Sequence, residues 1–191
     1  MSCVKGNALS NVQRYVELSH GSEEFQKLIA DLPEDERAIF GGIVLPGSWY
    51  PVGVWNRLLE RLIDGLGGED PQSFRPVAEF IAEHDLTMIF KVLFKVATPA
   101  MIVQRTPSLW ERYFDMGTVV PSEEAPTRYV VRLSAPLGVE DAPGRITCAA
   151  GVPAWLAHAV TLAGGYKSYA HERACRFRGA HACEIEVGWR G

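Results

Sequence analysis

Four residues in the last quarter of the chain, Cys148, Glu172, Cys175 and Cys183, constrain its fold more than any other feature. Three of the chain's four cysteines belong to this set, and Gly179 is the midpoint between Cys175 and Cys183. A short loop turning at Gly179 sets those two residues opposite each other on a hairpin. Their Cβ atoms are then roughly 5 Å apart, close enough to share a metal or a disulfide. Glu172 and Cys175 are three residues apart and face opposite sides of a regular strand. Both reach one site only if Glu172 precedes the strand or a bulge intervenes. The alternative is a set of reduced thiols packed as small hydrophobes.

With 191 residues, 47% hydrophobic and 22% charged, the chain fits one domain with an appendage and buries a real core. A net charge of −4 argues against a nucleic-acid surface. Residues 1–20 hold no continuous apolar stretch of secretory type. The most apolar segment, Leu86 to Val103, is broken by Lys91, Lys95 and Pro99, so no membrane span is expected. These features read as a cytoplasmic protein, and in a reducing compartment clustered cysteines bind metal more often than they form disulfides.

The hydrophobic period predicts helices over 1–20, 22–32 and a short stretch from Pro33. A longer helix starts near Pro51, with Val54, Trp55, Leu58, Leu59, Leu62, Ile63 and Leu66 on one face, and stops at Gly67-Gly68. Further helices are expected over 71–84, 86–97 and 99–116, the last kinked at Pro107. Then the character changes. Thr127 to Ser134 alternates as a strand, Ile146 to Leu162 reads as an Ala-rich helix, and 166–178 pairs with 182–189 as a hairpin. The fold class is therefore α+β: a helical N-terminal region over 1–69, offering a dimer surface, and a ligand-binding domain over 70–191. Trp49, Tyr50 and Trp55 at the junction are candidate anchors of a homodimer.

The pattern Glu172, Cys175, Gly179, Cys183 followed by Glu184-Ile185-Glu186-Val187-Gly188-Trp189 resembles the 4-vinyl reductase domain. That module is related in fold to TRAPP vesicle-tethering subunits and to haem nitric-oxide-binding domains, and its sheet is antiparallel. The resemblance implies a structural zinc held by Cys148, Glu172, Cys175 and Cys183, in the order found in phenol-responsive sensors. A closed Cys₃Glu shell leaves no open position for substrate. Tyr166-Lys167-Ser168 is similar to the start of the Tyr-x-Ser-x-Arg haem-propionate motif, but Ala170 stands where the arginine would be.

Phe90, Phe94, Trp110, Tyr113, Tyr129 and Trp155 are candidates to line an apolar pocket, with Tyr129 and Trp110 as its polar handles. By resemblance, Tyr129 falls near an aromatic pocket position of the phenol sensors. No nucleophile elbow, HExxH, CxxC or Walker pattern is present, so binding is expected rather than catalysis. The expected function is a zinc-stapled sensor or regulatory protein that takes a small apolar or aromatic ligand and signals to a partner protein. Its alternatives are a TRAPP-like interaction module and a tetrapyrrole-related 4-vinyl reductase accessory protein.

Overall fold

The computed structural model describes residues 2–65, 68, 70–90 and 97–190, the side chains of 87–90 excepted. Its helical half begins with a strand that sequence patterning misses. β1 (Cys3–Lys5) pairs antiparallel with β2 (Trp49–Pro51), Val4 lying opposite Tyr50, and Val4 also bridges Phe114. Three-residue strands are too short to leave a period in the sequence. Helix α1 (Gly6–His20) buries Ala8, Leu9, Val12 and Val16. α2 (Ser22–Ala30) and α3 (Glu34–Phe40) follow, locked by the edge-to-face pair of Phe25 and Phe40. α4 (Val52–Gly65) buries the expected stripe, and Trp55 at its centre belongs to the core instead of an interface.

The expected helix over 71–84 opens as a 3₁₀ turn, Pro71–Phe74, which Asp70 caps by accepting from the Gln72 amide at 2.9 Å. It then runs unbroken as α5 (Arg75–Phe90), because nothing between Ala82 and Leu86 breaks a helix. The remainder of the expected 86–97 helix lies outside the described residues. The predicted 99–116 helix is two short ones, α6 (Pro99–Gln104) and α7 (Thr106–Trp110), and Pro107 sits in the first turn of the second.

The sheet has four antiparallel strands in the order β3-β4-β6-β5. They are β3 (Thr118–Ala125), β4 (Arg128–Ser134), β5 (Tyr166–Ala174) and β6 (Cys183–Arg190). β3 escapes sequence reading because Pro121 and the acidic pair Glu123-Glu124 lower its strand signal; an edge strand tolerates that proline. The inner face is a row of Tyr129, Val131 and Leu133 opposite Val187, Ile185 and Cys183. The outer face is charged and self-paired: Arg132 donates to Glu184 at 2.7 Å and Arg173 to Glu124 at 2.7 Å.

α8 (Val152–Leu162) lies between the inner face and α5. A π-helical turn, Thr147–Gly151, precedes it. Pro153 has no N–H for the carbonyl of Ala149, and the side chain of Gln72 donates to that carbonyl instead at 3.1 Å. This bond ties the start of α8 to the 3₁₀ turn below α5. One apolar cluster runs from Val4 to Val187 and draws on both the helical stretch and the sheet. No helix among the described residues is long and apolar enough to cross a membrane.

Candidate functional site

α1, α4, the Pro71–Phe74 turn, α5, α7, β3, β4 and the start of α8 line a half-open apolar chamber of about 90 Å³. Its aromatic walls are Trp55, Phe74, Trp110, Tyr113, Phe114 and Trp155. They pack mainly edge-to-face, Trp55 on Phe74 at 6.0 Å and Tyr113 on Trp155 at 6.2 Å between ring centroids. Such pairs add roughly 0.5–1.5 kcal/mol beyond the area they bury. Gly151 faces the chamber because a Cβ there would stand 3.1 Å from the ring of Phe74.

The polar atoms in this wall are satisfied by the protein itself. Trp55 Nε1 donates to Thr147 Oγ1 at 2.8 Å, Trp110 Nε1 to the carbonyl of Met116 at 2.7 Å, and Thr106 Oγ1 to the carbonyl of Val103 at 2.8 Å. Trp155 Nε1 donates to Tyr113 Oη at 3.2 Å, and Tyr113 Oη donates in turn to Asp85 Oδ2 at 2.7 Å. Burial and the neighbouring Asp85 push the Tyr113 phenol well above its ordinary pKa, so it stays a neutral donor.

Asp85 also accepts from Asn11 Nδ2 at 2.8 Å and Asn7 Nδ2 at 3.0 Å, which joins the chamber wall to α1. Sequence reading did not single out Asp85. The available signal was its place on the buried stripe Ala78, Ile81, Ala82, Asp85 of α5, where a carboxylate needs partners.

Of the expected pocket residues, Trp110, Tyr113 and Trp155 meet at the chamber. Tyr129 is not among its described lining residues. It stacks on Trp189 at 5.8 Å, and its hydroxyl donates to Glu123 Oε2 at 2.8 Å. Phe94 lies outside the described residues, and of Phe90 only the backbone position at the end of α5 is described. His158 bridges two helices, with Nε2 2.7 Å from Glu83 Oε2.

Of the second expected site, three of the four residues come together as one group. The ligand-type atoms of Glu172, Cys175 and Cys183 lie within 4.8 Å of one another. The required bulge exists, as a register shift between Glu172 and Ala174 on β5. Gly179 turns the chain at φ +90°, a conformation that favours glycine. Cys148, on the π-helical turn, contacts the buried guanidinium of Arg176 at 3.8 Å. A hydrogen bond from the Cys148 thiol lowers the pKa of Cys183, with help from the Arg176 charge, whereas burial and a hydrogen bond to Glu172 raise that of Cys175. Arg178 holds the Glu172 carboxylate at 2.6 Å.

No family model matches the sequence, and no curated protein matches it. Solved structures do. An H-NOX protein from S. oneidensis in the Fe(II)NO ligation state superposes with a TM-score of 0.75 at 13% identity, covering 98% of this chain and 99% of that one. An Fe(II) unliganded H-NOX protein from K. algicida gives 0.66 at 13% identity, covering 98% and 97%. A structure from work on haem redox potential and porphyrin distortion gives 0.66 at 7% identity, covering 97% and 99%. The chain has the fold of the H-NOX proteins.

This finding corrects four expectations. The chain is not upheld as a 4-vinyl reductase domain: no such family model matches, and its structural neighbours are H-NOX proteins. With that resemblance goes the zinc-stapled function built on it, together with its alternatives. Zinc is withdrawn as cofactor, because the metal these neighbours' descriptions name is Fe(II). A local reason agrees: Arg176 and Arg178 bring two cations to the four ligand-type residues, Arg176 beside Cys148 and Arg178 on the Glu172 carboxylate. The aromatic form of the expected ligand is withdrawn too, since pockets for drug-sized ligands run to roughly 300–1,000 Å³ and this chamber offers about 90 Å³.

The fold raises haem as the group to test, and the chamber does not fit it. None of His20, His84, His158, His171 and His181 lines the chamber, and neither does any cysteine. Its one tyrosine is committed to Asp85. Among the described lining residues there is no Arg or Lys to pair a propionate.

Proposed function

We propose that this chain is a sensor domain of H-NOX fold, which recognises a small uncharged ligand in the aromatic chamber and passes the event to helix α1. The observation that carries this reading is the bond path from the wall to α1: Trp155 to Tyr113, Tyr113 to Asp85, and Asp85 to Asn7 and Asn11. A ligand that shifts Trp155 or Tyr113 changes the partners of a buried carboxylate, and α1 must answer. Binding is favoured over catalysis because the chamber holds no pair of groups able to exchange a proton with a bound molecule. A cytoplasmic setting agrees with the buried cluster of the Cys148, Cys175 and Cys183 thiols.

Three of the five tryptophans line the chamber, so occupancy should be visible in intrinsic fluorescence. The test is a fluorescence screen of small uncharged molecules, followed by amide hydrogen exchange with any hit. The expected result is altered emission together with altered protection over residues 7–16 of α1. Altered emission with α1 protection unchanged would refute the transmission path.

The homodimer stays part of this proposal. Ile43 at 86% exposure, Leu45 at 56% and Trp49 at 43% are exposed apolar side chains on the segment that leads into β2, and they suit a second copy. Light scattering at micromolar concentration should report twice the chain mass, and Ile43→Glu should halve it.

A further inference from the structure

We infer that the chamber takes its ligand directly, with no haem between ligand and protein, and that this ligand is a neutral volatile molecule of about three to five non-hydrogen atoms. The inference rests on the reading of the chamber as the recognition site and names what that site accepts.

Size sets the upper bound. An engineered apolar cavity of about 150 Å³ stays dry and binds benzene or xenon. At about 90 Å³ this half-open chamber is smaller by two fifths, so it favours a three- or four-carbon molecule over a six-carbon ring.

Affinity sets the lower bound. The best small ligands gain no more than a fixed free energy per non-hydrogen atom, which limits a diatomic to roughly millimolar binding without a metal bond. Four such atoms can reach about 10–100 μM at the same ceiling. A free diatomic gas therefore binds too weakly here to work as a signal.

Chemistry sets the class. The indole and phenol donors of Trp55, Trp110, Tyr113 and Trp155 are all engaged within the protein. An alcohol, amine or carboxylate entering the chamber would leave its own hydrogen bonds unmade. An alkene, thioether or halocarbon has none to lose, and its polarizable electrons meet aromatic edges and faces on several sides.

Trp55, Phe74 and Trp155 are among the bulky side chains that line the chamber. Ala78 on α5 is the natural place to fill it, being 2% exposed with its methyl group on the lining.

The experiment uses the full chain with three probes: xenon, propene and haemin. Xenon is followed in a pressurised crystal and by xenon NMR, propene by the shift of thermal midpoint, and haemin by its Soret band. In the wild type we expect one xenon site inside the chamber, a saturable rise in midpoint with propene, and no Soret band beyond that of free haemin. Ala78→Leu should abolish the first two. Val119→Leu, one methylene larger on the edge strand, should weaken propene at least threefold and serves if Ala78→Leu does not fold.

Stoichiometric haemin with a sharp Soret band would overturn the haem-free assignment and leave the sensor reading intact. Absence of xenon from a well-ordered chamber, or a propene response unchanged in a chamber-filling variant that folds, would overturn the ligand class. A propene response that vanishes in the filled variant while α1 protection never moves would support the ligand class and refute the sensor reading.

Discussion

Asp85→Ala is expected to lower stability by about 3–5 kcal/mol, a large fraction of the roughly 5–15 kcal/mol that holds a folded domain together. The carboxylate accepts from three donors: Asn11 at 2.8 Å, Asn7 at 3.0 Å and Tyr113 at 2.7 Å. A hydrogen bond to a charged group is worth roughly 1.5–3 kcal/mol net, and three sharing one acceptor add less than in proportion. The loss is steep because Asn11 is buried and its amide loses a charged acceptor. Asp85→Asn keeps the shape and one acceptor oxygen and should cost about half as much. Urea midpoints at constant m-value measure both. A cost below about 1 kcal/mol would mean that water replaces the carboxylate, and the path to α1 would then be broken as a mechanism. The same variants should speed amide exchange in α1 first, since Asp85 ties that helix to the chamber wall.

Arg176→Ala is expected to cost a similar amount, about 3–5 kcal/mol, for a different reason. Arg176 is 3% exposed. Its guanidinium donates to the carbonyl of Pro136 at 2.8 Å and to that of Pro143, and it stands 3.8 Å from Cys148 Sγ. It thus fastens the 135–144 loop to the turn between β5 and β6 while supplying positive charge to the thiol cluster. Removal strands two carbonyls and withdraws the cation that favours the Cys183 thiolate. Arg176→Lys should recover little, because one ammonium cannot reproduce the planar fork that reaches both carbonyls. The readouts are the denaturation midpoint and the thiolate ultraviolet band, which should weaken at neutral pH as the Cys183 pKa rises. An unchanged band would assign the lowered pKa to Cys148 alone.

Much of the helical half could be read from period alone, because α1, α4 and α5 each bury a continuous stripe whose spacing the sequence displays. The Glu172–Cys175 bulge could be inferred as well: two residues three apart cannot share a strand face, so a single site demanded an irregularity. β1, β2 and β3 stayed hidden for the reasons of length and composition given above, since their existence depends on partners 40 or more residues away or on an edge position that forgives proline. The chamber was half legible. Trp110, Tyr113 and Trp155 are conspicuous aromatics, whereas Trp55 read as helix face and dimer anchor, Phe74 read as helix core, and both meet the others only through tertiary packing. Tyr129 was misplaced because alternation gives the face of a strand but not which part of that face a cavity reaches. Zinc followed from spacing, and spacing says nothing of the arginines that tertiary structure brings to the same four residues.

The strand order has a consequence for how this chain must come into being. β6, made from residues 183–190, lies between β4 and β5, and both of its neighbours precede it in the chain. Until it arrives, β4 and β5 have a gap between them that no other segment fills, and each exposes an unpaired edge. During synthesis the helical half can collapse early on local contacts, but the sheet must wait for residue 190. A nascent chain stalled before that point presents open strand edges to the cell, so chaperone capture and edge-to-edge aggregation should both fall once residues 183–190 are free to pair.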